Sequence, residues 1–387
     1  MRLPRLATAS VVASTLLLAG LTGCTSDDGG PGGGDTVVIG ADLNNSSTVD
    51  VAYGRALQLR IDQVNASGRL GDRKLLLHAQ DNRADPTTSL RNISTFANDP
   101  SVAAVVTGSC DECAVDAAKT INDKKLPTIA LAAADEVTQP VADRQYLFKL
   151  GPNSSDSAAT LVAELHRVRT ANVAVLYSDD LYGRGSQKAL AAELAKARIP
   201  LTAVQPVKPA ATDITQAVGT LTDAKPAALV VLTSPDQATL AATSAKAAAY
   251  KGHVYFDAEA ASDMFIPLSS AAATNSTTMV FTQILAIDDV IATTPAKASR
   301  KQWFRDYTSR YGSYSGVASF AADAIDLIAA AVARMGGDRE QIRAILETSQ
   351  IDGISGPIRL TPANHSGLMP QALTLLVARA GRWRLAS

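Results

Sequence analysis

The chain has 387 residues and a formal net charge of −1; 47% of its residues are apolar, 19% charged and 5% aromatic. This apolar content with so little net charge excludes a disordered chain, and 36 Lys and Arg against 37 Asp and Glu exclude the basic excess of a nucleic-acid binder. Three cysteines in this length exclude a disulfide-framed miniprotein, and the length predicts two domains, each able to bury its own core.

The chain opens with Arg2 and Arg5, then an uncharged apolar or small run from Leu6 to Leu21. That run is shorter than the ~20 residues a spanning helix needs, so residues 1–23 read as a secretory signal. Leu21-Thr22-Gly23-Cys24 resembles the bacterial lipobox, in which the cysteine is lipidated and becomes the first mature residue. Residues 24–35 then form a lipid-bearing Cys24 and a Gly-rich tether, flexible between an anchor and a folded body. The protein is therefore expected outside the cytoplasm, anchored by lipid to the outer face of the cytoplasmic membrane.

After the tether, strands and helices alternate. Val37–Gly40 reads as a buried strand, and residues 50–66 turn to helical period with Tyr53, Leu57, Ile61 and Val64 on one face. Leu75–Leu77 is a second strand. Asp85-Pro86 signals a helix start, with an N-cap followed by proline at the first helical position. Val102–Thr107 is a third strand, 114–124 a helix and Pro127–Leu131 a fourth strand. The cycle repeats with helices over 156–168, 185–198, 213–223 and 235–250, and strands over 173–177, 201–206, 229–233 and 254–257. The last third is mostly helical, over 297–311, 316–335 and 338–348, and ends in a strand-like Ala372–Ala378. Near-continuous apolar strands between amphipathic helices predict α/β architecture: two doubly wound lobes with parallel central sheets.

In order and spacing, several stretches are similar to the leucine/isoleucine/valine-binding family of extracytoplasmic solute receptors, with the type I periplasmic-binding fold. They are Tyr53-Gly54, Asn65–Gly68 with Gly71–Leu75, Asp81 before Asp85-Pro86, Val105–Gly108, Val173–Tyr177 with Tyr182–Gly185, Trp303-Phe304 to Tyr311-Gly312, Asp323–Ile325 and Gly353–Pro357. The resemblance spans about 36–384. It implies two lobes joined by a three-strand hinge: lobe one over 36–149 plus 284–355, lobe two over 150–283 plus 356–387. It also implies ligand capture in the cleft between them, delivery to an ABC permease, and a monomer without cofactor, metal or enzymatic activity.

The same resemblance nominates the ligand contacts. Hydroxyls and backbone N–H groups on two lobe-one loops would grip a ligand carboxylate, and an acid in lobe two would take an ammonium. The first loop here is Ser109-Cys110-Asp111-Glu112, the second Ala133-Ala134-Asp135, and Glu259 falls at the ammonium-binding position. Tyr53 and Tyr182 fall at cleft-facing aromatic positions, and Ser234 follows the strand 229–233. Two departures stand out. Asp111 or Glu112 occupies the expected hydroxyl position of a shortened first loop, and Ala134 replaces a hydroxyl in the second. A carboxylate ligand beside either acid would meet a repulsion of about 4 kcal/mol at ~4 Å and an effective dielectric of ~20. A cationic, amide or polyol ligand fits these residues better than a plain neutral amino acid.

Cys110 and Cys113 allow three readings. An exported protein favours a disulfide that clips the loop. A redox-active pair at a helix start is a second reading, although Asp111 and Glu112 between the sulfurs oppose thiolate formation. Free thiols or a metal site, with poor zinc spacing, make the third. Two functional alternatives follow: a sensor of the same fold that signals to a membrane partner, and an extracytoplasmic thiol oxidoreductase using Cys110 and Cys113. Catalysis otherwise finds little footing. His78, His166, His253 and His365 are not framed by a nucleophile motif, and Gly183–Ser186 lacks the pattern of a nucleophile elbow. The glycines of 29–34 precede the first strand, whereas a phosphate loop follows one.

Overall fold

A computed structural model describes residues 36–264 and 266–386. The signal, Cys24 and the tether lie outside the described residues. Among the described residues no helix is long and apolar enough to cross a membrane.

The first unit winds β1 (Thr36–Leu43), α1 (Thr48–Ala66), β2 (Lys74–Asp81), α2 (Pro86–Asn98), β3 (Val102–Thr107), α3 (Asp111–Asp123), β4 (Thr128–Ala130) and β5 (Leu147–Lys149) into a five-stranded sheet. Its order is β2-β1-β3-β4-β5, parallel throughout. Every residue of β3 is buried, as its unbroken apolar run requires of a strand covered on both faces. The Asp85-Pro86 signal works as expected: Thr88 N–H donates to Asp85 Oδ2 at 2.8 Å and Pro86 opens α2.

The chain then crosses and winds α4 (Ser154–Arg167), β6 (Val173–Ser178), α5 (Leu181–Lys196), β7 (Leu201–Val207), α6 (Thr215–Asp223), β8 (Ala228–Leu232), α7 (Pro235–Ala247), β9 (His253–Phe256), α8 (Leu268–Thr274) and β10 (Thr278–Thr282). Three helices follow, α9 (Pro295–Tyr311), α10 (Ala318–Met335) and α11 (Arg339–Leu346), then a small hairpin of β11 (Gln350–Asp352) and β12 (Pro357–Arg359), and finally β13 (Leu373–Arg379) and β14 (Arg382–Leu385). The second sheet runs β14-β13-β10-β9-β8-β6-β7. It is not parallel throughout: β13 lies antiparallel to β10, and β14 antiparallel to β13. A strand arriving at the β10 edge from the other lobe has no crossover helix to reverse its direction, so antiparallel pairing is open to it.

Strands β5, β10 and β14 and helix α8 carry no sequence expectation. Around β10 the Ala-, Ser- and Thr-rich run from 269 to 278 shows neither period clearly. The C-terminal helices belong with the first sheet. α10, buried on nearly every side, packs along α1, and Arg60 and Arg69 of the α1 region hold Asp326 at 2.7 Å each. The two lobes are thus connected at three places, near 150–153, 283–290 and 347–372.

Candidate functional site

Open α/β sheets present ligand sites at the carboxyl ends of their strands. Here both sheets turn those ends toward one another. Between them lies a small cavity of about 20 Å³, lined from lobe one by Tyr53, Ser109 and Ala133, from the first connection by Gly151, and from lobe two by Glu259 and Phe281. Phe320 and Val317, from the start of α10, close its floor. The walls are mostly apolar.

The first loop is built around a buried carboxylate. Asp50, in the first turn of α1, accepts from Asn44 N–H at 2.7 Å and from Ser109 N–H at 2.9 Å. Gly108 makes this possible, since a Cβ there would fall 2.2 Å from Asp50 Oδ2. Burial raises the Asp50 pKa, and the donated hydrogen bonds oppose the rise.

Cys110 and Cys113 are joined by a disulfide. Cys110 is the N-cap of α3, so the helix starts at Asp111 and not at 114. That earlier start decides what the two acids do. Asp111, buried, turns inward and accepts from Ala133 N–H at 2.9 Å and Ala134 N–H at 2.6 Å. Glu112 reaches across to lobe two and accepts from Leu181 N–H at 2.9 Å, at the first residue of α5. Neither acid lines the cavity, so the expected repulsion of a ligand carboxylate by these two residues is replaced by something more local: both are occupied by protein donors.

Lys149 is fully buried behind the second loop. Its ammonium donates to Ala133 O at 2.8 Å and stands 3.6 Å from Asp135 Oδ1. Burial lowers its pKa; Asp135 and Asp111 pull it back up. Asp135 accepts from Ser154 N–H at 3.2 Å and lies outside the cavity lining, as do Ala134, Tyr182 and Ser234. Ser234 is the N-cap of α7 and makes no side-chain cap bond. Tyr53 donates to Leu131 O at 3.2 Å and presents its ring to the cavity. Tyr182 is buried and donates to Asp257 Oδ2.

Glu259 is the charged residue that lines the cavity. Among the described residues no hydrogen bond reaches its carboxylate. Burial pushes its pKa well above the usual carboxylate range, and Asp111, Asp257, Asp180 and Asp50 add to the rise. Asp50, Lys149, Gly151, Phe281 and Phe320 were not nominated from the sequence. Lys149 and Asp50 sit in unremarkable local contexts, and the two phenylalanines reach the cleft from distant parts of the chain.

The buried acids make stability depend on pH. Asp111, Asp257 and Asp323 are each raised by burial to about 7, against 3.8 unfolded. A group with a raised folded pKa binds more protons folded than unfolded, so its stabilisation is present below the unfolded value and is lost as pH rises through 7. His253 and Lys149, both lowered by burial, oppose this. Melting followed by calorimetry is expected to give a Tm several degrees higher at about pH 5.5 than at about pH 8. An equal or higher Tm at the alkaline end would contradict the assignment.

A sequence model of the periplasmic binding protein family matches residues 40–382. Comparison with curated proteins returns no significant match. Among solved structures the chain is similar to an extracellular ligand-binding receptor from Rhodopseudomonas palustris, with a TM-score of 0.82, 20% identity, and coverage of 90% of this chain and 99% of that one. It is also similar to a leucine-binding protein LivK from Thermotoga maritima, with a TM-score of 0.75, 16% identity, and coverage of 91% and 98%. A third is a solute-binding protein of an ABC transporter from Rhodopseudomonas palustris, in complex with 3,4-dihydroxybenzoic acid, with a TM-score of 0.78, 18% identity, and coverage of 90% and 95%.

Proposed function

The chain belongs to the periplasmic binding protein family, and from that premise we propose that it is an extracytoplasmic solute receptor that captures a small molecule between its lobes and hands it to an ABC permease. The observation that carries this reading is the cavity at the facing carboxyl ends of the two sheets, with residues of both lobes in its wall. Ligand binding would hold the lobes together by a hinge motion, and the closed form would be what the permease recognises. The protein acts as a monomer, without cofactor, metal or chemistry on the ligand. Cys24 carries the lipid that keeps it at the membrane surface.

A thermal-shift screen of a metabolite library tests the receptor reading. A true ligand at about 100 times its Kd adds about 2.7 kcal/mol of stability, and small-angle scattering on the same sample is expected to show contraction. No stabilising compound from a broad library would overturn the reading. Incorporation of labelled palmitate tests the anchor: it is expected in the wild type and lost in Cys24→Ser.

Glu112 supports the closing motion. Its hydrogen bond to Leu181 N–H runs from one lobe to the other and places a carboxylate at the N-terminus of α5. Glu112 is partly exposed, so the contact is worth about 1 kcal/mol after screening. Glu112→Ala is therefore expected to weaken ligand binding about fivefold in a calorimetric titration. Glu112→Gln, which keeps an acceptor, recovers part of the loss. Unchanged affinity in the alanine variant would remove Glu112 from the closing contacts.

A further inference from the structure

The Cys110–Cys113 disulfide closes a ring at a sequence separation of only 3. So short a ring removes little entropy from the unfolded chain, and global stability is not its main effect. Its effect is local. The sequence pattern supports a helix from 114 onward, yet α3 begins at Asp111, inside the ring. Cys110 is the N-cap and accepts from Cys113 N–H at 3.2 Å, but sulfur is a weak acceptor. The covalent bond therefore orders a first turn that the capping bond alone would hold loosely.

The two residues inside the ring direct their carboxylates to other elements. Asp111 accepts from Ala133 and Ala134 N–H in the second loop, and Glu112 accepts from Leu181 N–H in lobe two. Leu181 and Tyr182 also pack on a lobe-one apolar cluster that includes Ala132, Ala133 and Val137. The first turn of α3 thus sets how the start of α5 docks across the cleft. The two sulfurs are unequally placed. Cys113 is buried, whereas Cys110 is half-buried and open to attack, and exposed disulfides are the labile ones.

From this we infer that Cys110–Cys113 is a redox switch on the closing of the lobes. Oxidised, it orders the first turn of α3 and keeps Glu112 on lobe two; reduced, it frees that turn and the lobes part more readily. The reductant is a protein dithiol outside the cytoplasm. Its first thiolate attacks Cys110 Sγ to form a mixed disulfide, and Cys113 leaves as a thiolate at the N-terminus of α3, where backbone N–H groups receive the charge. Its second thiolate then attacks the sulfur of the first, and Cys110 leaves. The two protons of the dithiol end on Cys110 and Cys113, two electrons pass to the protein, and the dithiol becomes a disulfide. The inference concerns the lobes themselves and needs no ligand, so its failure leaves the receptor reading standing.

The chain has three cysteines, so in the full mature chain carrying Cys24→Ser a reductant has one disulfide to act on. Dithiothreitol stands in for the protein dithiol. Iodoacetamide labelling is expected to find both thiols after reduction, with the circular dichroism spectrum of the folded protein kept. Amide hydrogen exchange at Leu181 is expected to be about fivefold faster in the reduced protein, the loss of one screened hydrogen bond between the lobes, and to slow again on reoxidation. In Glu112→Ala, reduction is expected to add nothing at Leu181, because the contact is already gone. The double variant Cys110→Ser with Cys113→Ser, in which serine keeps an N-cap, is expected to exchange at the fast rate with or without reductant. A disulfide that resists dithiothreitol until the protein unfolds would overturn the switch and mark the bond as a structural clip, as would a reduced protein that loses its folded spectrum. Unchanged exchange at Leu181 after reduction would overturn it too, and so would an equal acceleration by reductant in Glu112→Ala.

Discussion

Asp323→Ala is expected to cost about 3–4 kcal/mol of folding stability and to lower Tm by about 4–6 °C. Asp323 sits in α10 with no exposed surface, and its two oxygens receive three donors from one turn: Ile354 N–H at 2.6 Å, Ser355 N–H at 2.8 Å and the Ser355 hydroxyl at 2.6 Å. The turn comes this close because residue 353 is glycine; a Cβ there would lie 2.5 Å from Asp323 Oδ1. Alanine leaves three buried donors without partners, which is what makes the substitution costly. The upper end of the range is not expected at neutral pH, because burial holds the Asp323 pKa at about 7 and part of the population is already protonated. Urea denaturation of the wild type, the alanine variant and Asp323→Asn measures the effect, with the asparagine variant between the other two. A loss below about 1 kcal/mol would show that the turn finds other partners.

Gly183→Ala is expected to be nearly as damaging, at about 2–3 kcal/mol, and to weaken ligand binding as well. The first turn of α5 rests directly on the end of β6. A Cβ on Gly183 would lie 1.9 Å from the carbonyl oxygen of Ser178, a backbone atom that no rotamer change can move. Relief requires lifting the start of α5. That displaces Tyr182 from Asp257 and Leu181 N–H from Glu112, the contact that spans the lobes. Gly219 in α6 is the control. A Cβ there meets nothing within 4 Å, so Gly219→Ala is expected to stabilise by about 0.5–1 kcal/mol through helix propensity. Chemical denaturation of both variants checks the contrast. Equal effects would mean that close approach at Gly183 is not what matters there.

Sequence patterns carried the architecture and only part of the site. The apolar runs of β3, β6 and β8 and the Asp85-Pro86 helix start read directly, because burial on both faces and N-capping are local requirements. The antiparallel addition of β13 to β10 is a pairing between distant segments, and no local period encodes it. At the site, Glu259 and Tyr53 were legible as cleft residues and do line the cavity. The orientation of Asp111 and Glu112 was not legible. It depends on α3 starting at Asp111, a matter of one helical turn, which sends adjacent carboxylates in different directions. α5 similarly begins at Leu181, before the expected 185, because Asp180 caps it through Gly183 N–H at 2.7 Å. Two glycines at 183 and 185 look like a loop in sequence, and the structure uses the first for close packing.

The pairing of α1 with α10 has a consequence for how the protein is made. Arg60 and its partner Asp326 are 266 positions apart, yet they belong to the same side of the same lobe. Contacts of such separation form late, because the intervening chain must be closed into a loop before they return any stability. When a ribosome has released the whole five-stranded sheet, the face of α1 that α10 will cover is still bare. The first lobe therefore stays incomplete until the last third of the polypeptide arrives, and the second lobe is threaded through the wait. Until then the buried face of α1 that α10 covers has no partner within the part of the chain already made.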